Sequence, residues 1–123
     1  MRLDNGELSV DLPADLEWVD EFLWTKVKEK VEVALDGALI IQTATQLKGR
    51  PITLRGGSNV WLTREELSKL QAMMDAGKTM TLTLADGRQF QVRFRYAEGA
   101  IDYRAVFPNL DRFCEVIIRL MEV

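Results

Sequence analysis

The side chains that could carry out chemistry in this chain are carboxylates, one thiol and several arginines, because histidine is absent. The chain therefore lacks the residue that most often serves as general base or metal ligand near neutral pH. The single Cys114 can form neither a thiolate metal cluster nor an internal disulfide. Phe113 and Val116 flank it, so we expect Cys114 to be a small buried hydrophobe. We expect no metal and no cofactor.

Paired carboxylates are the next candidates, since two acids at a suitable distance can hydrolyse a glycosidic bond. Asp20-Glu21 lies in an acidic segment, and Glu65-Glu66 lies where a predicted helix begins and negative charge is favourable. The glycines of Gly56–Asn59 are not followed by the Gly-Lys-Ser/Thr sequence of a phosphate loop, so we interpret them as a turn. No catalytic residue is assigned, and we expect the protein not to be an enzyme.

Arginine and glutamine side chains on one predicted strand face could contact nucleic-acid phosphates. They are Arg88, Gln89, Gln91, Arg93 and Arg95. The aromatic residues Phe90 and Phe94 point to the opposite side, so they do not interleave with this polar face. The net charge of −3 also disfavours nucleic acid. A solvated or protein-contacting sheet face is the preferred interpretation.

The strongest structural signal is Thr79–Tyr96, where apolar and polar residues alternate on both sides of an Asp-Gly dipeptide. This pattern is typical of a β-hairpin. A two-residue turn would mix apolar with polar side chains on each face, whereas a three-residue loop, Ala85–Gly87, sets Leu82 opposite Phe90. We therefore predict the three-residue loop, with Gly87 in the left-handed conformation.

Further strands are predicted from shorter patterns. Lys26–Leu35 and Ala38–Thr45 form a second hairpin around Asp36-Gly37, and consecutive apolar residues in its second strand leave its register open. Glu7–Leu12 and Arg50–Arg55 are short alternating runs, each with a proline close to one end.

One helix is predicted over Arg64–Ala76. Thr63 and Glu66 fit the N-cap and N3 positions of a capping box, and Gly77 fits a left-handed helix end. Leu70 belongs to its apolar stripe, which is typical of a helix packed on a core.

The closing segment Phe113–Val123 fits the periodicity of a helix as well as that of a strand, and its consecutive β-branched residues favour the strand. Six to seven strands and one helix predict an α+β, mainly β fold: a compact antiparallel β-sandwich or barrel with the helix packed on it. We expect a single domain over 1–123, in which 1–25 is an acidic strand and loop segment and 26–123 is the β-barrel core with the helix.

The charge distribution is uneven. Residues 1–25 carry seven acids and one base, while the remainder carries 15 bases and 12 acids. This polarity is compatible with head-to-tail assembly, with docking of the acidic segment on its own chain, and with an acidic loop in water. The first residues lack a signal sequence, and no apolar run approaches about 18 residues, so we expect a cytoplasmic product without membrane partners.

Several segments, in this order, resemble small tail proteins encoded by tailed phages and prophages. They are Gly37–Gln42 (GALIIQ), Gly49–Leu54 (GRPITL), Val60–Leu70 (VWLTREELSKL), the hairpin Met80–Phe94 and Arg119–Val123 (RLMEV). The order is also similar to the ring-forming N-terminal domain of phage distal tail proteins, a small β-barrel with one helix. The second domain of larger distal tail proteins has no counterpart in this sequence, so its contacts are not carried over.

The resemblance covers residues 35–123 and implies a non-enzymatic structural subunit of a phage or prophage tail, at the distal tail or tail tip. It implies a homo-oligomeric ring, for which six subunits is one arrangement, with other tail proteins as further partners. Such a protein would lie in the host cytoplasm during assembly and then in the virion tail. The alternative is a small regulatory or inhibitor protein that binds a host protein through its exposed sheet face. Nucleic-acid binding is the least supported class.

The candidate subunit-contact residues are Trp18, Phe22, Trp24, Arg93 and Arg95. For the three aromatics, folding back on their own core is an equal alternative. If they reach a neighbour, deletion of residues 1–25 should abolish the multimer and leave a folded monomer.

Overall fold

The computed structural model describes residues 1–46, 49–107 and 112–123. Within them the chain is mainly β with one α-helix, α1 (Arg64–Ala76). The strands are β1 (Arg2–Asp4), β2 (Ser9–Asp11), β3 (Glu17–Trp18), β4 (Val27–Val33), β5 (Leu39–Thr45), β6 (Pro51–Arg55), β7 (Leu62–Thr63), β8 (Met80–Thr83), β9 (Gln89–Phe94), β10 (Ile101–Phe107) and β11 (Arg112–Glu122). A 3₁₀ turn covers Tyr96–Glu98.

Nine strands form one antiparallel sheet, and two form a separate hairpin. The large sheet runs in the order β2-β1-β8-β9-β11-β6-β3, with β7 and β10 also paired to β11, while β4 pairs only with β5. Its end strands β2 and β3 do not pair with each other, so the described sheet is not closed and the predicted barrel is wrong. The count of six to seven strands is too low: β1, β3 and β7 have only two or three residues and show no readable alternation, and β10 was not predicted.

The core lies on one face of the large sheet, beneath α1. Directly paired residues carry this apolar face across neighbouring strands: Leu3 lies opposite both Val10 and Leu82, and Leu82 lies opposite Phe90. Leu70 of the helix is fully buried in the same cluster. Cys114 is buried and free, as predicted.

The core does not begin at residue 26, as the sequence analysis predicted. Leu3, Val10, Leu12 and Leu16, all from the first 25 residues, are buried members of the core. By contrast, every residue of β4 and β5 is exposed. The acidic segment is therefore part of the folded body, and the hairpin assigned to the barrel core lies outside it.

The β8–β9 hairpin has the predicted register. Met80 lies opposite Val92 and Leu82 opposite Phe90. The amide of Gly87 donates to the Leu84 carbonyl at 3.0 Å, and Gly87 has φ +94°, which favours glycine. The three-residue loop and the left-handed glycine are confirmed.

The helix is confirmed from its first to its last residue. The Thr63 hydroxyl accepts a hydrogen bond from the Glu66 amide at 3.3 Å, and Gly77 ends the helix at φ +64°. Pro51 lies at the start of its strand, where its missing amide donor is tolerated. The closing segment is a strand, as its β-branched residues favoured.

A pair of equivalent glycine substitutions tests which hairpin belongs to the cooperative core. Gly87→Ala forces a left-handed backbone on alanine and should lower the free energy of unfolding by about 1 kcal/mol. Gly37 has a similar φ, +86°, but lies at the tip of the exposed β4–β5 hairpin, so Gly37→Ala should leave global unfolding almost unchanged. Urea unfolding followed by tryptophan fluorescence measures both. Equal losses would contradict this separation.

We expect the buried side chain of Leu70 to contribute more to the free energy of unfolding than the N-cap residue Thr63 does. Leu70→Ala removes a side chain with no exposed surface and should cost about 2–5 kcal/mol. Thr63→Ala removes the N-cap and should cost roughly 0.5–2 kcal/mol. Chemical denaturation of both variants gives the comparison, and negligible effects from both would show that α1 does not pack as described.

Candidate functional site

The hairpin Val27–Thr45, here called the arm, is the main surface that the fold leaves unpartnered. Its two seven-residue strands pair with each other along their full length, from Val27 opposite Thr45 to Val33 opposite Leu39. No residue of either strand is buried. Among the described strands, none pairs with an outer edge of the arm.

The register, which the sequence left open, gives the arm two different faces. Directly opposed residues share a face, so Val31 and Ile41 lie together, as do Val33 and Leu39. These four side chains, each 53–70% exposed, define the apolar face. The opposite face carries Lys28, Lys30 and Glu32 on β4 and Ile40, Gln42 and Ala44 on β5, and is mostly polar.

The arm is held at its tip and its base. At the tip, Gly37 donates to the Ala34 carbonyl at 2.9 Å and the Asp36 carboxylate accepts from the Ala38 amide at 3.0 Å. At the base, the Gln46 amide donates to the Lys26 carbonyl at 2.6 Å. The loop repeats the Asp-Gly chemistry of the β8–β9 turn, so local sequence favours the hairpin conformation of the arm.

Just before the arm lies an exposed apolar turn. Phe22 is 90% and Leu23 is 82% exposed, and the Leu23 amide donates to the Asp20 carbonyl. Of the predicted contact aromatics, Phe22 is thus free to meet a partner, and Trp24 is half-buried.

Trp18 is instead occupied within its own chain. Its ring lies edge-on to Phe90 at 5.4 Å between centroids, and the guanidinium groups of Arg50 and Arg88 lie 4.6 and 5.6 Å from its centre. Cation–π contacts of this kind stabilise the docked position of β3. For Trp18, folding back on the core is what the structure shows.

The two arginines predicted to contact a subunit also have intramolecular partners. Arg93 donates to the Gly77 carbonyl at 3.2 Å, at the end of α1, where a cation is favourable. Arg95 is largely buried and bonds to Glu98 at 2.8 Å and to the Thr53 hydroxyl. Trp18, Arg93 and Arg95 therefore contact other residues of their own chain, whereas the Phe22 side chain is exposed.

The acidic segment docks on basic residues of its own chain. Glu21 pairs with Arg88 at 2.7 Å and Glu7 pairs with Lys78 at 2.6 Å. The hydrogen bond from Lys78 lowers the pKa of Glu7, and the hydrogen bond to Glu21 raises the pKa of Arg88. Because the pKa of Glu7 is lower in the folded state, its contribution to stability is present above the unfolded pKa and is lost as the pH falls.

A second exposed surface lies between α1, β10 and the start of β11. It is an open groove of about 380 Å³ with a mixed lining: Leu67, Met74, Ile101, Tyr103 and Phe113 are apolar or aromatic, and Arg64, Ser68 and Gln71 of the helix are polar. The Tyr103 and Phe113 rings pack edge to face at 5.3 Å. The outer edge of β10 pairs with no other described strand, so the groove is bordered by an open backbone edge.

In the described part of the chain, neither a metal site nor a membrane-spanning helix accompanies these surfaces. Within 1–46, 49–107 and 112–123, no cluster of three or more acidic, cysteine or histidine side chains could hold a metal ion. No helix of the described chain is long and apolar enough to span a membrane. Comparison with known proteins finds no family model, no curated protein and no solved structure that matches this chain.

The sequence analysis missed the exposure of the arm and the presence of β10, for different reasons. The arm was predicted as a hairpin, but its apolar residues were assigned to the core, since hydrophobicity alone does not distinguish a core from an interface. Strand β10 was not predicted, although Ile101 and Tyr103 alternate with Asp102 and Arg104 in a strand-like period of two.

Two truncations test the observed division of the chain. Because Lys26 and Gln46 are hydrogen-bonded neighbours, a short Gly-Ser turn can replace Val27–Thr45, and this variant should keep cooperative unfolding. Deleting residues 1–25 removes Leu3 and Val10 from the core and should abolish folding, contrary to the folded monomer expected from the sequence. Circular dichroism and thermal unfolding distinguish them; an unfolded arm-less variant would show that the arm supports the core.

Proposed function

We propose that this protein is a non-enzymatic structural subunit of a phage or prophage tail, at the distal tail or tail tip, that assembles with copies of itself into a ring. The observation that supports this proposal is the arm: a fully exposed hairpin with an apolar face formed by Val31, Val33, Leu39 and Ile41. The resemblance of residues 35–123 to phage tail proteins supplies the biological setting.

The energetics of the arm favour a partner. An isolated two-stranded hairpin is marginally stable in water, and its open edges invite pairing with another strand. Each large apolar side chain moved from water into an interface contributes about 1.5–3 kcal/mol when fully buried. Four such residues on one face give a binding surface whose burial can stabilise both the arm and the assembly.

A ring follows when donor and acceptor surfaces differ. A hairpin that extends from one side of a subunit makes a head-to-tail contact, and such contacts close into a ring when the rotation between copies permits. Other tail proteins would then bind the two faces of that ring. Assembly would take place in the host cytoplasm before incorporation into the virion tail.

The polar sheet face supports the alternative, an inhibitor of a host protein, less well. Gln91 bonds to Thr81 at 2.9 Å and Gln89 bonds to Thr83 at 3.5 Å across β8 and β9. These side chains already form hydrogen bonds with one another. The described residues of this β8–β9 face include no exposed large apolar side chain of the kind that dominates binding energy at interfaces. The arm is the better candidate for binding a protein.

Two neighbouring residues on opposite faces of the arm provide a matched test. Ile41→Lys puts a charge on the apolar face, whereas Gln42→Lys puts the same side chain on the polar face. Ile41→Lys should convert the multimer to monomer, and Gln42→Lys should keep the wild-type mass in size-exclusion chromatography with light scattering. Both variants should unfold like the wild type, because the arm lies outside the core.

Three results would contradict the proposal. The wild-type protein could stay monomeric at high concentration, the multimer could survive Ile41→Lys, or both lysine variants could lose it equally. The last result would show that charge, and not the apolar face, controls assembly.

A further inference from the structure

We infer that the arm of one copy docks on the edge of β10 in a second copy and covers the groove beside α1 there. This inference rests on the proposed function and names the acceptor surface for the same arm. The occupant is a second copy because one chain displays both halves of the contact: a hairpin with an apolar face, and a strand edge without a described strand partner that borders a groove lined in part by Ile101, Tyr103 and Phe113.

The strands of the arm and strand β10 match in length and in having an open backbone edge. Strands β4, β5 and β10 each have seven residues, and each has one edge without a described strand partner. Antiparallel addition of an arm strand to β10 would satisfy backbone donors and acceptors on both sides, as in β-augmentation. Open edges of this length otherwise promote unspecific pairing.

The side chains of the two elements are matched as well. Ile101 and Tyr103 line the groove, while Asp102 and Arg104 alternate with them along β10. An arm strand added at this edge continues the same pleat, so its apolar face can lie on the same side of the sheet as Ile101 and Tyr103 and extend the groove beside them. Its polar face then lies beside Asp102 and Arg104.

The charges on the two polar faces permit this orientation. The arm carries Lys28, Lys30 and Glu32 there, and the salt bridge Lys30–Glu32 shows that the face holds both signs. On β10, Asp102 pairs with Arg119 at 2.7 Å and Arg104 lies 3.6 Å from Glu115. Both faces are exposed and carry positive and negative side chains, so no net charge repulsion opposes their contact.

The arm alone supplies about half of the area that a specific contact needs. Seven residues at about 3.4 Å each make the arm roughly 24 Å long and, with side chains, about 10 Å wide. Covering that face and its acceptor buries on the order of 500 Å², about half of a minimal specific interface. Phe22 and Leu23, exposed just before the arm, extend the apolar surface at its base and supply further area.

Disulfide capture between two differently substituted chains tests the acceptor. In a Cys114→Ala background, one chain carries Ile41→Cys or Val31→Cys on the apolar face, and the other carries Tyr103→Cys in the groove. Tyr103 is 59% exposed and the arm positions are similarly open, so these variants should fold. Mild oxidation of the mixed chains should give a covalent arm–groove dimer several-fold more abundant than that from Gln42→Cys with Tyr103→Cys.

The outcome separates this inference from the proposed function. A wild-type multimer that yields no arm–groove disulfide, or only arm–arm disulfides, overturns the acceptor and leaves self-assembly intact. A wild-type protein that stays monomeric overturns both. As a measurement independent of oxidation, Tyr103→Lys should reduce the multimer as Ile41→Lys does, whereas Lys69→Gln, at an exposed position of α1 outside the groove, should not. A multimer that persists in Tyr103→Lys also overturns the acceptor.

Discussion

The architecture depends on one long strand and the bulge within it. Strand β11 pairs with β10 and β7 through its first half and with β9 and β6 through its second half. Its register against β10 shifts near Glu115, which has φ +50°, a left-handed value that is uncommon for a residue other than glycine. Such bulges bend a strand and increase its twist, which lets β11 exchange one pair of neighbours for another.

The bulge is held by the glycine turn that follows β6. The Gly56 amide donates to the Val116 carbonyl at 2.8 Å, and the Gly57 carbonyl accepts from the Glu115 amide at 3.4 Å. A Cβ atom on Gly56 would lie 3.0 Å from side-chain atoms of Leu16 and Val60, so a larger residue there would require these two side chains to shift. What the sequence suggested to be a simple turn is therefore hydrogen-bonded to β11 on both sides of its irregularity.

How far the sequence predicts this molecule depends on whether a pattern is local. The β8–β9 register and the limits of α1 were predictable, because loop length, the capping residues and the terminal glycine act over a few neighbours. Strands β1 and β3 were not, since two or three residues carry no period and their pairing depends on distant partners. The bulge at Glu115 has no sequence signal, because contacts with the distant glycine turn, and not the glutamate itself, favour the left-handed backbone conformation at this position.

The candidate site follows the same rule. The hairpin that forms the arm is encoded by its Asp-Gly loop, yet whether Val31 and Ile41 face a core or solvent depends on the rest of the fold. Among the proposed contact residues, Phe22 remains exposed, while Trp18 and Arg95 each contact at least one residue more than thirty positions away, Arg50 and Thr53 respectively. Pairing between distant segments is the information that one sequence lacks.

The base of the arm determines what kind of assembly this geometry can make. Two hydrogen bonds fix it, from the Gln46 amide to the Lys26 carbonyl and from the Gln46 side chain to the Thr25 carbonyl at 3.1 Å. Because arm and β10 edge are different surfaces, each added copy leaves one of each open until the series closes, and the number of copies depends on the angle between them. That angle depends on how the arm and the β10 edge are oriented within one subunit. The subunit number of a ring built this way therefore depends on the backbone geometry of these two elements, more than on the apolar side chains that supply its binding energy.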